Sequence, residues 1–147
     1  MKRAVSLGLI LSLAAASLAL AAGPVKGATY RGAIDRAPSN FSLPISFQVS
    51  KSGKTVSRFS LADSYPVYCQ GGGFPHLGTG GSGRITKRGT FTAKLALISI
   101  STNKPEGWVI VSGAFGHGGT VSGKVRTDIN GSFGRACNGS SPFSAKK

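Results

Sequence analysis

The chain has 147 residues, with 18 Lys and Arg against 4 Asp and Glu and a formal charge of +14. That length suits one domain with a modest core rather than two. So few acids leave paired-carboxylate hydrolysis little to draw on, and so basic a balance attracts polyanions such as anionic cell-envelope polymers, acidic polysaccharide, nucleic acid or anionic membrane.

The first residues read as an address. Lys2 and Arg3 precede an apolar, Ala-rich run from Ala4 to Leu20, and Ala19-Leu20-Ala21 supplies a small-x-small cleavage pattern. This is the layout of a secretory signal peptide over residues 1–21. The run falls short of the roughly 20 strongly apolar residues of a membrane-spanning helix, and no stop-transfer cluster follows it, so no transmembrane anchor is expected. Residues 22–147 are expected to form a single exported domain, secreted or held in the envelope. The short Ala-rich leader has a bacterial character.

Export gives the two cysteines their meaning. Cys69 and Cys137 are the only pair, and a lone pair outside the cytoplasm oxidises to a structural disulfide. Closing a loop of about 69 residues would stabilise the fold by roughly 4 kcal/mol on the chain-entropy account. Two cysteines so far apart, without a C-x-x-C pair, lack the spacing of a metal site.

Beyond the leader no amphipathic helix is visible, and short runs alternate apolar and polar residues. Ile45, Phe47 and Val49 share one strand face, followed by a turn at Lys51-Ser52-Gly53 and a second strand through Val56 and Phe59. Gly53-Lys54-Thr55 has the form of the second half of a phosphate-binding P-loop. That motif needs Gly at position 48, where this chain has Gln48, and it needs a helix downstream. A hairpin is expected there, and no nucleotide.

The segment Gln70–Gly83 is half glycine and surrounds Phe74 and His76. It reads as an exposed loop, the first place to look for a binding surface. Arg84, Lys87 and Arg88 then form the tightest basic group. Phe91, Ala93, Leu95 and Leu97 give the next strand face, followed by Val109, Val111, Gly113 and Phe115, and then by Val121, Gly123 and Val125. Turns are expected at Lys87-Arg88-Gly89, at Gly116 to Gly119 and at Asn130-Gly131. Period-two alternation with short Gly-containing links predicts about eight antiparallel strands from near Tyr30 to near Phe143, an all-β sandwich or small barrel.

Chemistry is harder to find. His76 and His117 have no carboxylate or thiolate beside them in sequence, so neither metal nor cofactor is expected. The Gly-x-Ser-x-Gly elbow of a serine hydrolase is absent. Phe47, Phe59, Phe91, Phe115, Phe143 and Trp108 could form a stacking platform, but Phe47, Phe91 and Phe115 fall on the apolar faces. Trp108 alternates away from Val109 and Val111 and is the exposed aromatic.

The ordered pattern of Tyr30-x-Gly32, Ile45-x-Phe47-x-Val49, Val56-x-x-Phe59, Cys69, Gly89-Thr-Phe91, Ser112-Gly-Ala-Phe115, Val121-Ser-Gly-Lys-Val125, Cys137 and Phe143-x-Ala145-Lys146 resembles small secreted β-rich proteins of uncharacterised function from soil actinobacteria. The resemblance implies an exported, two-Cys, antiparallel β domain and carries no catalytic residues. The expectation is a monomeric, non-catalytic binder of anionic envelope polymers or polysaccharide. Lys51, Lys54, Arg84, Lys87, Arg88, Lys146 and Lys147 are its candidate contacts, and Phe74, His76 and Trp108 its candidate loop and aromatic surface. The alternatives are a small secreted hydrolase using a loop His, or an inhibitor or toxin-like protein acting through Gln70–Gly83.

Overall fold

A computed structural model describes residues 22–35, 42–61, 76–77, 80–98, 103–129 and 138–147. The expected leader, Cys69, Cys137, Phe74 and the Asn130-Gly131 turn lie outside the described residues. The strands are β1 (Thr29–Asp35), β2 (Ser42–Val49), β3 (Thr55–Leu61), β4 (His76–Leu77), β5 (Gly83–Arg84), β6 (Thr90–Ile98), β7 (Pro105–Gly116), β8 (Thr120–Ile129) and β9 (Gly139–Lys146), with one 3-10 turn at His117–Gly119. No α-helix occurs among the described residues, and no helix there is long and apolar enough to cross a membrane.

All strand pairings are antiparallel, in the order β4-β6-β7-β8-β9-β1-β2-β3-β5. The last strand therefore pairs with the first. At the far edge β5 hydrogen-bonds to β3, and the next residue, Ile85, bridges to Phe91 of β6. One sheet thus curls almost fully onto itself, and of the two expected architectures the barrel is the one formed. The two short strands β4 and β5 run in the same direction, on β6 and β3 respectively, and together occupy one position of the ring, so eight positions run up and down in sequence order and every second connection between them reaches the same end.

The Gly-rich segment departs from expectation. Its C-terminal part is barrel wall, not exposed loop. Gly81 and Gly83 are buried, and a Cβ on either would meet the β6 backbone, at the Lys94 and Thr92 carbonyl oxygens. The glycines there let the chain lie directly on β6 and close the sheet.

Alternation along each strand fills the interior. Tyr30, Phe47, Phe59, Phe91, Phe115 and Phe143 are all buried. Phe59 and Phe143 therefore join Phe47, Phe91 and Phe115 in the core, and only Trp108 remains of the stacking platform. Phe47 lies 5.4 Å from the Tyr30 ring, 5.3 Å from Phe59, 5.4 Å from Phe91 and 6.5 Å from Phe143. The Tyr30 hydroxyl accepts a 3.1 Å hydrogen bond from the Val25 amide, satisfying the one polar atom of a fully buried ring.

Val56 and Phe59 both point inward although three residues apart. The pairing shifts between Ser46↔Ser60 and Gln48↔Ser57, so β3 carries one extra residue, and Arg58 absorbs it at φ 54°. A bulge of this kind restores phase by bending the strand. At the far end of β8 the Asn138 side chain accepts from the Ile129 amide at 2.7 Å and donates to its carbonyl at 3.3 Å, prolonging the ladder with a side chain.

Truncating Phe47 to Ala should cost about 3–5 kcal/mol, read as a lower urea midpoint. Arg58→Gly should stabilise the protein by up to about 1 kcal/mol, read as a higher urea midpoint, because it relieves a left-handed non-glycine residue.

Candidate polyanion-binding end of the barrel

The β2–β3, β5–β6 and β7–β8 connections, the start of β1 and the finish of β9 all lie at one end of the barrel. That end collects the candidate bases. Lys51 and Lys54 sit in the β2–β3 turn, Lys87 and Arg88 in the β5–β6 turn, and Lys146 and Lys147 at the close of β9, all exposed. Arg84 faces Thr55, the first residue of β3, and so sits just below the same rim. Lys26 joins them. The Gly27 amide donates to the Ser50 carbonyl at 3.1 Å, and the Lys26 stem lies against Gly53. Lys147 lies along Gly119 and donates its amide to the Gly119 carbonyl at 3.0 Å, next to His117.

No described acid lies at this end. Asp35 closes β1 and Asp128 nears the close of β8, both toward the opposite end, where Glu106 also falls at the start of β7. Eight residues of extended strand separate Thr120 from Asp128, roughly 26 Å of rise. The Debye length at physiological ionic strength is about 8 Å, so those carboxylates do little to neutralise the rim. Eight strands about 4.8 Å apart and tilted by about 40° give a backbone ring about 16 Å across, so bases on adjacent turns stand closer to one another than to those carboxylates. Lys94, Lys104 and Arg126 lie further down the barrel, so the asymmetry is in where acids are missing.

Two turns hold the central bases in the same way. Ser50 Oγ accepts from the Lys54 and Thr55 amides, each at 3.2 Å, and the Gly53 amide donates to the Ser50 carbonyl at 2.9 Å. In the other turn Thr86 Oγ1 accepts from the Thr90 amide at 3.2 Å, and the Gly89 amide donates to the Thr86 carbonyl at 3.0 Å. Gly53 and Gly89 take φ of 73° and 69°, a conformation that glycine adopts without strain. The P-loop likeness ends here. The amides that would cradle a phosphate are spent on Ser50, and strands flank the turn on both sides.

The other candidates do not converge on this end. Trp108 stands on the outer face of β7, 42% exposed, opposite Ala96 and Asp128 and with Lys94 Nζ 5.9 Å from its ring centroid. His76 belongs to β4, which pairs with the last residues of β6 at the opposite end from exposed His117. The two histidines therefore share no site. Among the described residues no group of three His, Cys, Asp or Glu is placed to hold a metal ion. Lys26 is the base at this end that the sequence pattern does not mark, its one signal being its position just ahead of the first strand.

Ser50→Ala should lower stability by about 1 kcal/mol through loss of the turn's acceptor, measured by denaturant titration, and should leave affinity for polyanions unchanged because no charge is lost. No known family, curated protein or solved structure matches the chain, so a functional reading rests on this geometry.

Proposed function

We propose that the protein is an exported, monomeric, non-catalytic binder of anionic envelope polymers or acidic polysaccharide, and that the basic end of the barrel draws the polymer in. The separation of charge along the barrel carries this reading. A scattered set of surface bases would keep a protein soluble, whereas these gather at one end with no described acid among them. A field of this kind raises the rate of encounter with a polyanion and fades with salt. The filled interior supports an exterior mode of binding, since rings occupy the space in which a small ligand would sit. The basic leader and apolar run of residues 1–21 support export, and with export goes a Cys69–Cys137 disulfide.

Purified protein should be retained on cell-envelope fractions and on anionic resin and should elute as salt rises. Retention indifferent to salt would sink the proposal. Lys51→Ser with Lys54→Ser should elute earlier than Lys104→Ser with Arg126→Thr, which removes equal charge away from the rim; identical elution would mean that only net charge counts. For the disulfide, alkylation without prior reduction should leave the protein's mass unchanged, and two added groups would refute the bond.

A further inference from the structure

Below the rim the outer wall carries two shallow hollows, of about 580 Å³ and 450 Å³, that meet at Ser122. Their cause lies in the layer beneath. Gly113 and Gly123 face each other across β7 and β8 on the inward side, and a Cβ on Gly123 would meet the Ser112 carbonyl and the Phe143 ring. Gly32 likewise lets β1 approach β9 so closely that a Cβ would meet the Ser144 carbonyl. Where these side chains are missing the wall sinks inward, and the surface above it dips. One register row runs along the bottom of the dip, Ala114↔Ser122↔Ser144↔Ala33.

Bases flank that row. Arg31 and Lys146 are direct cross-strand partners on the rim side, Lys124 stands two residues beyond Ser122 on the other side, and Arg84 lines the far end. No acid lines either hollow. Like charges directly opposite on neighbouring strands destabilise a sheet, so the Arg31–Lys146 pair is an arrangement that a bound anion would relieve. The two flanking rows are about 13 Å apart, and the floor from β6 to β1 runs about 19 Å around the barrel.

We propose that this groove seats a single chain of an acidic polysaccharide lying across the strands, with Arg31 and Lys146 gripping its carboxylate or sulfate groups. The proposal rests on the polyanion reading above and names the seat and the ligand class. Charge complementarity selects an anion, and a guanidinium paired with an ammonium suits a carboxylate held from two sides. The Ser and Ala floor selects sugar over nucleic acid. Single-stranded nucleic acid is held by stacking on aromatic rings, and exposed Trp108 lies six residues along β7 from Ala114, roughly 20 Å away. The turn bases Lys51, Lys54, Lys87 and Arg88 steer the polymer, and the groove bases, Lys146 among them, retain it. Removing steering charge slows association, whereas removing contact charge speeds dissociation.

Polygalacturonate binding to the purified protein is followed by association and dissociation rates. Arg31→Thr with Lys124→Thr should speed dissociation by about tenfold, while Lys51→Ser with Lys87→Ser, equal in charge removed, should change it by less than about threefold and mainly slow association. Without ligand, Arg31→Thr should melt higher than the parent, because the like-charge pair is gone; if that variant fails to fold, Lys146→Thr with Lys124→Thr makes the same test. Equal dissociation rates for the two double variants would overturn the groove and leave the polyanion reading standing. Tighter binding to a thymidine oligonucleotide of matched charge would overturn the polysaccharide class. A parent protein that binds neither polygalacturonate, the oligonucleotide nor envelope fractions would overturn both proposals.

Discussion

Phe47 is the side chain on which the two halves of the barrel meet. Strands β1 to β3 form one meander and β6 to β9 another, and the ring of Phe47 touches Tyr30 and Phe59 from the first and Phe91 and Phe143 from the second. Aromatic pairs of this kind contribute about 0.5–1.5 kcal/mol each beyond the area they bury. An eight-stranded barrel is just wide enough for side chains to fill, and here the rings do so. A filled interior leaves the outside of the wall as the surface on which the proposed binding would take place. The glycines opposite the rings follow from the same crowding. Gly113 leaves room for Phe91 and Phe143, and Gly123 for Phe143. The hollows on the outer face are thus the reverse side of the core packing.

Up-and-down connectivity converts a property of the sequence into a property of the surface. Connections alternate between the two ends, so residues in alternate turns become neighbours. Lys51 and Lys54, Lys87 and Arg88, and Lys146 and Lys147 fall at one parity, whereas Asp35, Glu106 and Asp128 fall at the other. Charges that look scattered along the sequence are thereby sorted: among the described residues the acids stand toward one end of the barrel and the turn bases at the other. The same parity sets His76 and His117 at opposite ends, which removes any geometry in which they act together.

Much of this was legible in the residues. The inward sets from Ile45 to Val49, from Phe91 to Leu97 and from Val121 to Val125 follow from alternation alone, as does the outward turn of Trp108. Two features were not. Gly81 and Gly83 carry the composition of a mobile loop, and only the backbone of β6 pressed against them explains the glycines as close packing. Composition cannot separate glycine chosen for freedom from glycine chosen for lack of a side chain. The candidate bases were legible one by one but not as a group, because grouping needs the parity of the strand count. Arg31 and Lys124 needed more still, since their relation to the groove depends on register, which one bulge such as that at Arg58 can reset.

The seam between β1 and β9 also governs timing. Strand β1 has its other edge satisfied early, by β2 only a few residues downstream, but the edge that faces β9 stays open until Gly139–Lys146 arrives. Among the described strands the contact between β1 and β9 has the greatest sequence separation, and non-local pairing of this kind is slow because loop-closure entropy must be overcome first. A chain emerging in order therefore holds an unpaired strand edge, with its hazard of adventitious pairing, until β9 is free to pair. Gly32 lets the two strands approach closely at that seam, and the ring of strands is complete only when β9 lies beside β1.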